Sequence, residues 1–242
     1  WPQPLRDRQP SALTDIKQRL SLRMDLHRFV QWQFERQWHA LRKAATELGI
    51  ELIGDVPIFV AHDSVEVWCD RSQFLLHPDG SLKVQAGVPP DYFSKTGQLW
   101  GNPLYNWERM QADGFAFWRQ RIRRAASLFD RVRIDHFRGF AAHWEVPAAD
   151  QTAEFGRWVT APGHALFEVL TTHPDTQKVR FIAEDLGVIT PDVEALRDRK
   201  LKALGEVQAE TVVSANIGCI QHLAAASGRP VRHWVEVLDE MC

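Results

Sequence analysis

The segment RVRIDHFRG, residues 131–139, sets three arginines, an aspartate and a histidine around a short apolar core. Residues two apart in an extended strand face the same side, so Arg133 and Asp135 are aimed at one place. They form either a buried ion pair or part of a working site. Two more carboxylates occupy the same kind of position: Asp55 in IELIGDVPIFV, and Glu184 after Phe181-Ile182-Ala183.

Two carboxylates converging on a cleft are what glycoside chemistry needs. One attacks the anomeric carbon or steadies its charge; the other, with a raised pKa, protonates the leaving oxygen. Arg133 beside Asp135 favours the ionised form and suits a nucleophile. The apolar run before Glu184 disfavours its charge and suits an acid. Each residue also has a plain structural reading: a strand-end group bonded to backbone or arginine, or, for Asp55, the start of a turn. His136 is expected on the opposite side of the strand, as a core histidine. Asp135, Glu184 and a histidine form a conceivable metal set for an enolase-type barrel, but no helical His-x-x-x-His pair or cysteine cluster accompanies them.

Positioning such groups calls for short strands alternating with helices. The Pro-rich residues 1–10 read as an extended entry. Leu13 to Leu48 lacks Pro and Gly and reads as two helices, with Ser21 as a cap between them and Gly49 as C-cap. Phe29, Trp32 and Arg36 fall at helical spacing. A buried strand over 50–60 stops regular pairing at Pro57. Residues 61–112 read as a long irregular loop, with turn signals at 77–80, 87–90 and 96–97. Loops of that length in a compact domain are functional or disordered, and Trp68, Tyr92, Phe93, Trp100 and Trp107 argue against disorder.

A helix over 114–128, a strand at 131–137, a second loop holding Pro147, a helix at 163–172 and a strand at 178–187 follow. Thr190-Pro191 opens a further helix. The alternation predicts an α/β fold with a parallel sheet and carboxylates at its strand C-termini. A (β/α)₈ barrel and an open doubly wound sheet both place sites there; no Gly-rich phosphate loop supports a nucleotide.

With 242 residues, 45% apolar and 25% charged, the composition is that of a soluble globular protein of one large or two small domains. A net charge of −2 argues against nucleic acid or an anionic membrane as partner. No apolar run approaches the roughly 18 residues of a span. Cys69, Cys219 and Cys242 have no metal-like spacing, and with no signal-peptide pattern they point to reduced thiols in the cytoplasm. Ten Trp and thirteen Phe against two Tyr supply flat apolar faces that suit sugar rings as well as cores.

Four stretches taken together resemble one family: GDVPIFVAHDSVEVW (54–68), AGVPPDYFSKTGQLWGNPLYNW (86–107), RIDHFRGF (133–140) and IAEDLGVITPDVEALRD (182–198). They are similar to the 4-α-glucanotransferases called amylomaltase or disproportionating enzyme, glycoside hydrolase family 77 of the α-amylase clan. The resemblance implies a (β/α)₈ TIM barrel, incomplete in this chain, with residues 1–200 as partial catalytic barrel and 61–112 as an inserted loop subdomain. It implies a retaining double displacement that passes α-1,4-glucan segments between malto-oligosaccharides, with no metal or organic cofactor. Asp135 would be the nucleophile and Glu184 the acid/base. Arg133, Asp55, Asp91, Tyr92, Phe93 and Trp100 would bind substrate, the aromatic loop roofing the cleft and excluding water.

The family also carries a third catalytic aspartate in a later His-Asp motif, for which this sequence has no counterpart: His233 precedes Trp234, and residues 201–242 are unlike the family. A catalytically dead or glucan-binding remnant is therefore the alternative expectation, and an α-amylase-like hydrolase a third.

Overall fold

The structure, a computed structural model, describes residues 2–92 and 94–184, together with the backbone of Val212–Ser214 and Val231–His233. The chain divides into two compact units, residues 1–50 and 51–242.

The first unit is helical: α1 (Gln3–Arg6), α2 (Pro10–Arg19) and α3 (Ser21–Glu47). The extended entry expected for residues 1–10 is instead helix, because proline in a first turn forfeits no hydrogen bond and its φ is already helical. Ser21 is the first residue of α3 rather than a cap. Leu20 joins the two helices with its own amide bonded to the Ile16 carbonyl and its carbonyl to the Met24 amide, so no side-chain cap is needed. Gly49 ends α3 as expected, at φ +72° with its amide on the Thr46 carbonyl.

The second unit is α/β. Its parallel sheet runs in the order β1 (Ile53–Val56), β4 (Arg131–Ile134), β7 (Arg180–Ala183). The register aligns Asp55 with Arg133 and Arg133 with Ile182. Parallel neighbours need crossovers. Helices α6 (Ala116–Leu128) and α7 (Gly163–Thr172) lie on these connections, burying Trp118, Ile122, Leu166 and Leu170 completely. Strand residues Val132, Ile134 and Phe181 meet them in one core with Phe137, Phe140 and Phe167.

The stretch 61–112 is not an irregular loop. It holds α4 (Val65–Cys69), a 3₁₀ turn at Arg71–Gln73, β2 (Val84–Val88), β3 (Gln98–Pro103) and α5 (Trp107–Ala112). The expected second loop around Pro147 likewise contains β5 (Ala142–Pro147) and β6 (Arg157–Thr160). These four strands pair antiparallel in the order β3-β2-β5-β6. Their glycines hide them from a pattern reading, yet the packing requires them. At Gly97, with φ +69°, a Cβ would lie 2.3 Å from the Val88 carbonyl oxygen.

Two short strands, β8 (Val212–Ser214) and β9 (Val231–His233), pair in parallel. The helix expected from Thr190 and the remainder of 201–242 lie outside the described residues. No described helix is long and apolar enough to cross a membrane.

Candidate active site

The ladder of the parallel sheet runs one residue past each strand. The Asp135 amide donates to the Val56 carbonyl at 3.0 Å, and the Glu184 amide to the Ile134 carbonyl at 3.2 Å. The C-terminal end of the sheet therefore carries Asp55, Asp135 and Glu184 on adjacent strands.

Arg133 gathers all three. Its Nη1 donates to both Asp55 oxygens at 2.8 Å, while Nη2 lies 2.8 Å from Asp135 Oδ1 and 3.4 Å from Glu184 Oε1. Because both oxygens share one nitrogen, they are at most roughly 6 Å apart, short of the about 6.5–9.5 Å that an inverting pair needs to seat a water.

The two carboxylates differ in surroundings. The Asp135 side chain is 47% exposed and that of Glu184 is 11%. Burial first, and the Asp135 charge second, hold Glu184 above the usual carboxylate range; the His136 amide and Arg133 pull the other way. One guanidinium cannot neutralise three carboxylates, so the least hydrated of them keeps a proton most readily.

His136 corrects the expected strand. The chain leaves extended geometry after Ile134, and His136 turns left-handed at φ 51° rather than facing the back of a strand. Its amide donates to Glu184 Oε2 at 2.5 Å. Its ring stands edge-on to Trp100, centroids 4.9 Å apart. Burial, with Arg138 adding to it, pushes the imidazole down to about 4.

Of the expected binding residues, Arg133 and Asp55 thus come together with Asp135 and Glu184, while Trp100 packs on the ring of His136. Tyr92 is 96% exposed on the loop between β2 and β3. Asp91 in that loop accepts the Ser94 amide at 2.7 Å. Phe93 lies outside the described residues. Among the described residues no group of three or more His, Cys, Asp or Glu is arranged to hold a metal. A cavity of about 720 Å³ opens beside Asp55 between β1 and α6 but takes in neither Asp135 nor Glu184.

Sequence reasoning missed the residues that hold the turn after β1. The Tyr105 hydroxyl donates to the Ile58 carbonyl at 2.5 Å, Arg121 to the Pro57 carbonyl at 2.9 Å, and Asn102 to the Val60 carbonyl at 2.8 Å. Tyr105 is buried among Phe59, Phe74, Trp107 and Trp118, which pushes its phenol up. The run of aromatics from Tyr105 to Trp118 was the available signal.

These features define a class: an α/β protein whose parallel strands present a protonatable and an exposed carboxylate, bridged by arginine, at their C-terminal ends. The comparisons narrow it. The chain belongs to glycoside hydrolase family 77, described as 4-alpha-glucanotransferase, whose profile matches residues 1–207. It is 55% identical over 199 residues to the 4-alpha-glucanotransferase of Thermus thermophilus, covering 82% of this chain and 39% of the relative. It is 48% identical over 197 residues to the chloroplastic/amyloplastic enzyme of Solanum tuberosum, covering 81% and 34%. The amylomaltase of Streptococcus agalactiae, solved in complex with acarbose, superposes with a TM-score of 0.79 at 40% identity, over 83% of this chain and 40% of that one. The chain thus spans about two fifths of the length of the relatives it matches.

Proposed function

We propose that this chain carries part of a 4-α-glucanotransferase site that moves α-1,4-glucan segments between malto-oligosaccharides with retention, in the cytoplasm and without a metal or organic cofactor. In this reading β1, β4 and β7 are strands of a partial (β/α)₈ barrel, and residues 61–112 with β5 and β6 form a subdomain beside its cleft. The observation that carries it is the Arg133 guanidinium drawing Asp55, Asp135 and Glu184 together at one sheet end.

The roles follow from surroundings. Exposed Asp135, paired with Arg133, attacks the anomeric carbon, while buried Glu184 donates its proton to the departing 4-oxygen. The glucosyl ester on Asp135 then meets an acceptor 4-hydroxyl. Glu184, now ionised, takes that proton as the new bond forms and the carboxylate of Asp135 leaves. Asp55 and Trp100 would hold sugar rings, and Asp91, Tyr92 and Phe93 would act from the loop between β2 and β3.

Incubation with maltotriose should yield glucose and longer oligomers, and Asp135→Asn should abolish both. No glucose at high protein load would sink the transferase reading. A second reading is glucan binding without turnover, since the chain spans about two fifths of the length of the relatives it matches. Maltotriose binding by titration, with no products, would establish it.

A further inference from the structure

A second small pocket, of about 340 Å³, lies on the antiparallel sheet and is lined by Lys83, Val84, Glu145, Pro147, Phe155 and Arg157. That volume is at the lower end of the about 300–1,000 Å³ typical of small-molecule sites. None of the active-site carboxylates lines it.

Three features are hard to explain as packing. Glu145 is a carboxylate on a sheet face with a side chain only 7% exposed, paired across the strands with Arg157, which is 76% exposed. Both contacts of Arg157, at 2.8 and 2.6 Å, fall on Oε1, leaving Oε2 outside the pair. An ion pair with one partner so exposed contributes little stability. Secondly, Phe155 is 80% exposed although the loop that carries it is tied down on both sides. Ala153 donates to the Thr96 carbonyl at 3.0 Å and accepts from the Trp144 indole at 2.8 Å, its own side chain fully buried. Gly156 lies so close to Trp144 that a Cβ there would fall 2.3 Å from the indole nitrogen. The phenyl ring is thus held outward by an anchored loop. Thirdly, Lys83 adds a second cation at the rim, with Val84 and Pro147 as apolar walls.

A fixed aromatic face beside a carboxylate and two cations matches a pyranose ring, which offers one apolar CH face and a rim of hydroxyls that both donate and accept. We propose that this pocket is an auxiliary subsite for one glucosyl unit of an α-1,4-glucan. Phe155 stacks on the sugar face, Glu145 accepts from one hydroxyl, and Arg157 and Lys83 donate to its neighbours. The choice of α-glucan among pyranosides rests on the function proposed above. The site would keep a long chain tethered while its end is processed elsewhere.

Titration of the 242-residue chain, ring-labelled at Phe and Trp, with maltohexaose and with cellohexaose separates the two ideas by NMR. Phe155 signals, assigned by their loss in Phe155→Ala, should shift saturably with maltohexaose and not with cellohexaose. Arg157→Ala should raise the midpoint of that shift roughly tenfold, with Trp100 responding as before. Trp100 shifting to saturation while Phe155 stays still overturns the subsite and leaves the cleft reading intact. Phe155 shifting while Trp100 does not supports the subsite and removes the cleft. An equal response to cellohexaose overturns the assignment to α-glucan, and no response from either ring overturns both.

Discussion

In the parallel sheet, Asp135 and Glu184 each directly follow a four-residue strand and Asp55 is the third residue of one; in β4 alternate side chains are buried, Val132 and Ile134 being inaccessible while Arg133 points out with 12% of its side chain exposed. In the antiparallel sheet the strands carry glycines, tryptophans and a buried glutamate, and what it brings to the carboxylates is one indole, Trp100, against His136. The first sheet sets charges at fixed heights through backbone register. The second supplies flat surfaces whose placement depends on close backbone approach. Polar chemistry here sits on the region with the plainer sequence pattern, and shape-based recognition sits on the one without it.

The sharpest way to break this contrast is Arg133→Met. It leaves three carboxylates without their shared cation, and the second unit should lose about 3–5 kcal/mol at neutral pH. Part should return as the pH falls and the carboxylates protonate; denaturant melts at pH 7 and pH 4 would read both. In the antiparallel sheet the corresponding change is Gly97→Ala, where strain and a clash with Val88 coincide, for an expected loss of about 3 kcal/mol. Gly101→Ala has an equally positive φ but open space, so its loss should be about 1 kcal/mol. Equal losses at the two glycines would show that conformation, not close approach, governs this sheet.

A smaller effect joins the two regions. His136 and His143 are both pushed down to about 4, chiefly by burial. Their neutral forms are favoured in the fold, so the stability they confer is complete above 6.5 and is lost as pH falls towards 4. Thermal melts over that interval should show the midpoint falling as the pH drops, a decline made shallower by His143→Phe. Glu184 has the opposite sign: its contribution is complete below 4.5 and is lost as pH rises through its raised value. Smallest of all, Tyr92→Ala should leave stability within about 0.5 kcal/mol, since that side chain is 96% exposed, while weakening maltohexaose binding measured by calorimetry.

How much of this could be read from sequence divides along the same line. The parallel strands and the helices over 116–128 and 163–172 follow from apolar runs and periodicity. The pairing of Arg133 with Asp135, and the apolar setting of Glu184, follow from residue spacing alone. The antiparallel strands were hidden because Gly87, Gly97 and Gly101 interrupt alternation, and because Pro147 ends a strand instead of forbidding one. His136 was misplaced because nothing local announces a left-handed histidine; its turn is held by long-range contacts with Glu184 and Trp100. The joint hold of Arg133 on Asp55 is likewise invisible before the register of β1 against β4 is known.

That register has a consequence for how errors in folding are exposed. Side chains alternate along a strand, so a slip of one residue in β1, β4 or β7 would turn its carboxylate from the cluster to the other face. Arg133 reaches all three only when every strand is in phase. The cluster therefore works as a parity check on the sheet, and a chain that has paired wrongly reveals itself by an arginine that has lost its anions.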